Sequence, residues 1–195
     1  MSWGGIIITF ALVDNVILSR LLGVRHSVCM PGSMRAAVGT GISTALLMAV
    51  SAVVGWALGT LALVPLGFSF LQTPAFVLAV AGLALLLRQA AARVSPAFVK
   101  DVSFPEVAVN CATLGVVLIT TRGGYTAGES LVAGSAAGLG YFLVTVMMTA
   151  IRERLEVEQV PRALRGLPLH LISAGLLAYA FMAFDRAFLA RVLGG

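Results

Sequence analysis

The chain has 195 residues, 59% of them hydrophobic and only 11% charged, with a mean hydropathy of +1.02. A water-soluble fold of this length could not hide that much apolar surface, which excludes a stand-alone soluble enzyme. Lys and Arg outnumber Asp and Glu by 13 to 8, but the basic residues are scattered singly between apolar stretches with no Lys or Arg run. The expected surroundings are therefore a lipid bilayer, and no nucleic-acid partner is expected.

Taken in chain order, the first apolar stretch, residues 3–22, lacks the basic start and small-residue cleavage site of a signal peptide and is expected to be a retained first helix. Apolar runs of spanning length, about 20 residues each, then predict helix 2 near 36–63, helix 3 near 70–87, helix 4 near 105–121, helix 5 near 127–151 and helix 6 near 167–185. Pro31-Gly32, Pro65-Leu66-Gly67, Ser95-Pro96, Arg122-Gly123-Gly124 and Pro161 punctuate them. Six spans leave no room for a sizeable soluble domain. The fold class is all-α integral membrane, with residues 1–195 forming one membrane domain.

Basic residues in short loops resist translocation, so their distribution orients the chain. Loop 1–2 holds Arg20, Arg25 and Arg35, loop 3–4 holds Arg88, Arg93 and Lys100, and loop 5–6 holds Arg152, Arg154, Arg162 and Arg165, which makes ten on one side. The other side has three: Arg122 in loop 4–5, with Arg186 and Arg191 after helix 6. Both termini are expected outside the cytoplasm.

A shift of about 95 residues superimposes Asn15 on Asn110 and Gly39-Thr40 on Gly134-Ser135, and brings Pro74 near Pro168 and Ala81-Gly82-Leu83 near Ala174-Gly175-Leu176. The matches occur in order, which predicts two three-helix repeats, about 1–93 and about 100–195. Three helices per repeat is odd, so the halves are expected to be inverted. Helices 1 and 4 are then equivalent, and each carries polar residues: Asp14-Asn15 in the first, Pro105-Glu106 and Asn110-Cys111 in the fourth. Such groups are costly in lipid; they mark either an ion path through helices broken near mid-membrane or a helix–helix hydrogen bond. Gly55, Gly59, Gly134 and Gly138 read as packing notches. His26 and His170 are single and read as interfacial or packing residues.

The sequence has two cysteines, Cys29 after helix 1 and Cys111 in helix 4, at corresponding places toward the cytoplasmic half. A disulfide does not suit that side. The remaining readings are two unconnected thiols, or half of a four-cysteine iron–sulfur site completed by a partner subunit.

Residues 12–23 (LVDNVILSRLLG), 110–116 (NCATLGV), 150–155 (AIRERL), Val160-Pro161, Arg165-Gly166 and 171–184 (LISAGLLAYAFMAF) resemble the A subunits of bacterial Rnf electron-transport complexes along nearly the whole chain. The sodium-pumping NADH:quinone reductase E subunits are related, but Leu114-Gly115-Val116 after Asn110-Cys111 is more similar to the Rnf version. The resemblance implies six helices in inverted halves, a bacterial inner-membrane location, and pairing with a homologous six-helix subunit of opposite orientation. It further implies a [2Fe–2S] cluster at that interface with two cysteines from each partner, relaying electrons between flavin and iron–sulfur subunits and coupled to Na⁺ or H⁺ translocation. Cys111 matches the family's second cysteine. The first does not carry over, because the family's Leu-Gly-x-Cys ends here in Arg25, with Cys29 four positions later; the family's helix 1 Asn-Asn is Asp14-Asn15 here. The expected roles are thus Cys111 and Cys29 as iron ligands and Asp14, Asn15 and Asn110 as ion-path groups. The alternative, motivated by Arg25, is a divergent transporter-like or scaffolding subunit without a cluster.

Overall fold

The computed structural model describes residues 3–13, 15–20, 22, 33–65, 67–94, 102, 107–108, 110–157, 161 and 164–182. Among them every regular element is a helix. Helix α1 (Trp3–Ile8) runs into a π-helical turn, Thr9–Val13. Helix α2 (Met34–Ala57) likewise continues as a π-helix, Leu58–Leu63. A 3₁₀ turn (Ser69–Leu71) leads into α3 (Gln72–Val94), and then come α4 (Cys111–Arg122), α5 (Ala127–Val157) and α6 (Leu167–Phe181).

The helix starts follow from residues whose side chains replace the missing backbone acceptors. Ser33 is extended, and its Oγ accepts the Ala36 N–H at 3.4 Å. Thr126 and Glu129 form a reciprocal box: the Thr126 N–H and hydroxyl donate to Glu129 Oε2 at 2.9 and 3.0 Å, and the Glu129 N–H returns to Thr126 Oγ1 at 3.4 Å. Helix α6 starts after Gly166, whose φ of +89° suits only glycine, with Pro168 in its first turn.

Helices α2 and α5 form the centre. A Cβ on Gly134 of α5 would stand 2.8 Å from the Met48 carbonyl oxygen, and one on Gly138 would stand 2.8 Å from that of Ala45. On α2, a Cβ at Gly41 would come within 2.7 Å of the Phe142 ring. As α5 numbers rise the α2 numbers fall, so the two helices are antiparallel, and they touch through small residues because nothing larger fits. Helix α1 lies parallel to α5: Trp3 covers Gly128, while Ala11 and Asn15 meet Gly140. Helix α4 lies parallel to α2, with Gly55 against Val117 and Gly59 against Thr121. The notches at Gly55, Gly59, Gly134 and Gly138 are thus filled by neighbouring helices, as their spacing predicts.

Two apolar clusters fill the remaining space. Ile6, Phe10, Met48, Val116, Val144 and Leu177 belong to one, and α3 joins α2 and α4 in the other through Leu47, Phe76, Val80 and Val117. The outward residues are apolar too: Leu78 and Leu86 on α3, Leu139 on α5, and Leu176 and Tyr179 on α6 are all more than half exposed. Lipid, not water, suits that surface. Among the described residues, the helical stretches Met34–Leu63, Gln72–Arg93 and Ala127–Leu155 are long and apolar enough to cross a bilayer, and Cys111–Arg122 and Leu167–Phe181 are shorter apolar helices.

The expected boundaries hold to within a few residues for helix 2 and for the starts of helices 5 and 6, while helix 5 runs on to Val157, past the expected 151. Helix 3 runs on to Val94, past the expected 87. The fourth span is interrupted within the expected 105–121: Val107 and Ala108 are helical, Asn110 is extended, and helix resumes as α4 at Cys111 with Asn110 as its cap. Regular helix in the first span ends by Val13 rather than at 22, since Asn15 turns the chain.

The α2–α5 approach makes a prediction. Gly138→Leu must push α2 away, costing about 1–3 kcal/mol, whereas Gly82→Leu on α3 points into open space. In detergent, Gly138→Leu should lower the melting temperature and the monodisperse yield while Gly82→Leu leaves both near parental values. Equal behaviour of the two variants would remove the close-packed centre from the explanation.

Candidate functional site

Of the residues singled out in the sequence, the described ones are Asn15, Asn110, Cys111 and His170; Asp14, Arg25, His26, Cys29, Pro105 and Glu106 lie outside the described residues. His170 sits in the first turn of α6.

Asn15 is 1% exposed. Its Oδ1 accepts the Ile17 N–H at 3.1 Å, and its Nδ2 donates to the Ala11 carbonyl at 3.2 Å. Its own carbonyl accepts both the Ser19 N–H, at 2.9 Å, and the Ser19 hydroxyl, at 2.8 Å. The amide thus replaces helical hydrogen bonds where the first helix stops. Gly140 makes this possible, since a Cβ there would stand 2.9 Å from Asn15 Nδ2.

Asn110 repeats the arrangement. Its backbone is extended, with φ −76° and ψ 111°, and its Oδ1 accepts the Ala112 N–H at 3.0 Å, again two residues on. It is 5% exposed, and its Nδ2 is buried with no hydrogen-bond partner among the described residues. Matched by sequence offset, the two asparagines therefore perform the same local task.

Register gives their depth. Helices α2 and α4 run parallel with Val117 beside Gly55, so stepping back six residues on both puts Cys111 level with Ala49, midway along Met34–Leu63. Gly140, which receives Asn15, lies near the middle of Ala127–Leu155. Both breaks thus fall halfway along the long apolar helices. Helix α4 has only 12 residues because its first turn begins there.

Cys111 is the first residue of α4 and is exposed on the outside of the bundle, while Ala112 and Thr113 beside it are buried. Among the described residues no three His, Cys, Asp or Glu side chains converge to hold a metal. One soft thiol turned outward from a helix start fits a cluster whose other ligands come from beyond this surface, and does not fit a metal centre enclosed by these helices. Sequence reasoning missed the buried hydroxyls of Thr44, Ser51 and Thr113; their signal was hydroxyl residues seven apart on α2 and one turn after Asn110 on α4.

The family model described as "Rnf-Nqr subunit, membrane protein" matches residues 4–187. The chain is 37% identical over 182 residues to the A subunit of the Na⁺-translocating ferredoxin:NAD⁺ oxidoreductase complex of Acetobacterium woodii, covering 92% of this chain and 95% of the relative. It is also 37% identical over 175 residues to the A subunit of the ion-translocating oxidoreductase complex of Serratia proteamaculans, covering 89% and 91%. The corresponding Syntrophotalea carbinolica protein is 35% identical over 181 residues, covering 92% and 94%. With a membrane-spanning helical fold and a family match over most of its length, the chain belongs to the Rnf-Nqr family of membrane subunits.

Proposed function

We propose that this chain is part of an ion-translocating oxidoreductase complex in a bacterial inner membrane, and that it supplies half of an electron-transfer site shared with a homologous subunit of opposite orientation. One observation carries the reading: Cys111 stands on the outer face of the bundle, halfway along the spanning helices, where a second membrane subunit can reach it. The names of the relatives, which describe ion-translocating and ferredoxin:NAD⁺ oxidoreductase complexes, agree with it.

In this reading Cys111 and Cys29 would hold a [2Fe–2S] cluster together with two thiols of the partner. Such a cluster supplies one-electron transfer at a depth that soluble flavin and iron–sulfur subunits on either membrane side cannot reach alone. The chain's own part is positioning. Asn110 fixes the backbone before Cys111 by closing onto Ala112, so the thiol leaves the bundle at a set place. Gly115 keeps α4 close to its neighbours, since a Cβ there would run into Leu22. Asp14, Asn15 and Asn110 are the proposed polar groups of the ion path, and a carboxylate at Asp14 is costly enough in lipid to need a purpose.

The same reading takes the chain as six spans in two inverted halves with both termini outside. The matched amide turns at Asn15 and Asn110, the pairing of α2 with α5, and the placing of α1 on α5 and α4 on α2 support it. The Met34 N–H donates to Glu153 Oε1 at 3.1 Å, which joins the start of α2 and the end of α5 on the arginine-rich side. The second reading, a cluster-free transporter-like or scaffolding subunit, rests on Arg25 where the resemblance puts a cysteine.

Three outcomes test these proposals. Reduced, purified complex should give a [2Fe–2S] EPR signal that Cys111→Ser and Cys29→Ser each abolish; a signal untouched by Cys29→Ser makes Cys29 a bystander, and no iron at all favours the second reading. A single reporter cysteine at Thr126 should react with impermeant reagent from outside intact cells and one at Arg35 only after the membrane is opened; the reverse pattern inverts the topology. Asp14→Asn in the assembled complex should lower ion transport and change its pH dependence, and unchanged transport would leave Asp14 a packing role.

A further inference from the structure

Most hydroxyls inside this bundle bond their own helix. Thr40, Ser43, Thr121, Thr145 and Thr149 each donate to the carbonyl four residues back, at 2.7 to 2.9 Å. Thr44, Ser51 and Thr113 depart from that habit. All three are at most 1% exposed, and their hydroxyl oxygens have no hydrogen-bond partner among the described residues. The buried Asn110 Nδ2 is in the same position.

These four atoms fall along one seam. Gly55 meets Val117 and Gly59 meets Thr121 across parallel helices, so one turn back Ser51 on α2 comes level with Thr113 on α4. Thr44 lies two turns before Ser51 on the same face of α2, and Asn110 lies one turn before Thr113. Toward the C-terminal ends the seam is shut by Val117 and Thr121 against glycine, with no room for even one added methyl. Toward the N-terminal ends it becomes polar.

Buried hydroxyl and amide groups without partners carry a desolvation cost that lipid cannot relieve, because it offers neither donors nor acceptors. Water can relieve it, donating to and accepting from hydroxyls and accepting from the amide Nδ2. Neutral oxygens combined with water are also the surroundings a small monovalent cation accepts inside a membrane.

We propose that the α2–α4 seam lined by Thr44, Ser51, Thr113 and Asn110 is a hydrated site that takes the translocated monovalent cation, Na⁺ or H⁺ carried on water, as far as the closure at Gly55 and Val117. This rests on the reading that the complex moves a cation. Cys111 directly follows Asn110 and lies two residues before Thr113, on the outward face of the same turn, so the seam ends against the amide that positions the thiol. Occupancy of the seam and the placement of the thiol therefore share the Asn110 side chain.

The test uses the intact complex in membranes, with two readouts. Ser51→Cys is treated with a small, charged methanethiosulfonate, with the parental complex as background for the native cysteines; a hydrated seam makes position 51 react, and a dry one leaves it inert. Thr113→Val keeps the shape and removes the hydroxyl. It should cut uptake of radioactive Na⁺, or of H⁺ read by a pH dye, several-fold per electron transferred, with Thr113→Ser restoring transport. Which of the two uptakes falls identifies the cation. An inert Ser51→Cys, or parental coupled transport in Thr113→Val, overturns the proposal; if Thr113→Val does not assemble, the labelling decides. Failure of the electron-transfer reading would show separately, as missing iron in the parental complex.

Discussion

A helix that stops inside a bilayer exposes N–H and C=O groups that lipid cannot satisfy, and each one left bare costs several kcal/mol, on the order of a lost hydrogen bond or more. This chain stops its first helix and starts its fourth halfway along its longest apolar helices, and an asparagine amide answers the cost in both places. The rest follows from those stops. Gly140 must be bare to admit Asn15, α4 is short because Asn110 interrupts the span and α4 begins only at Cys111, and Cys111 reaches the outer face of the bundle at a depth no continuous helix end would give it.

The central α2–α5 pair gives those breaks a rigid frame. Without a hydrophobic drive between helices in lipid, close backbone approach through small residues is what holds them together. Gly134 and Gly138 let α5 come within contact of the α2 backbone at Met48 and Ala45, and α1 and α4 are seated on the outer sides of the pair by Gly140 and Gly55. The bundle buries small and hydroxyl-bearing residues beside its two apolar clusters and turns large apolar side chains outward as well, unlike a soluble protein. With apolar surroundings on both sides, buried hydroxyls matter here: each is either bonded to its own helix or left needing water.

Much of the fold was legible because a bilayer imposes one length and one polarity on whatever crosses it. Apolar run length located the helices, and Gly67 and Gly124, both at positive φ, lie within the predicted punctuation, with Gly166 at positive φ five residues after Pro161. The asparagine match at an offset of 95 pointed to two equivalent breaks. Which helix each glycine meets was not legible, since Gly55 could as readily have faced lipid, and hydropathy alone could not separate Asn110 as a cap from a residue inside a longer helix. Nor could it tell a back-bonded Thr40 from an unpartnered Thr44 four residues on, because that difference lies in hydroxyl geometry and not in composition.

The central claim is that Cys111 is presented at mid-membrane to a site shared with a second subunit. The most direct measurement is an electron cryomicroscopy map of the assembled complex. The expected result is metal density joined to Cys111 at an interface with a homologous membrane subunit. Cys111 facing only lipid tails, with no metal beside it, would contradict the claim.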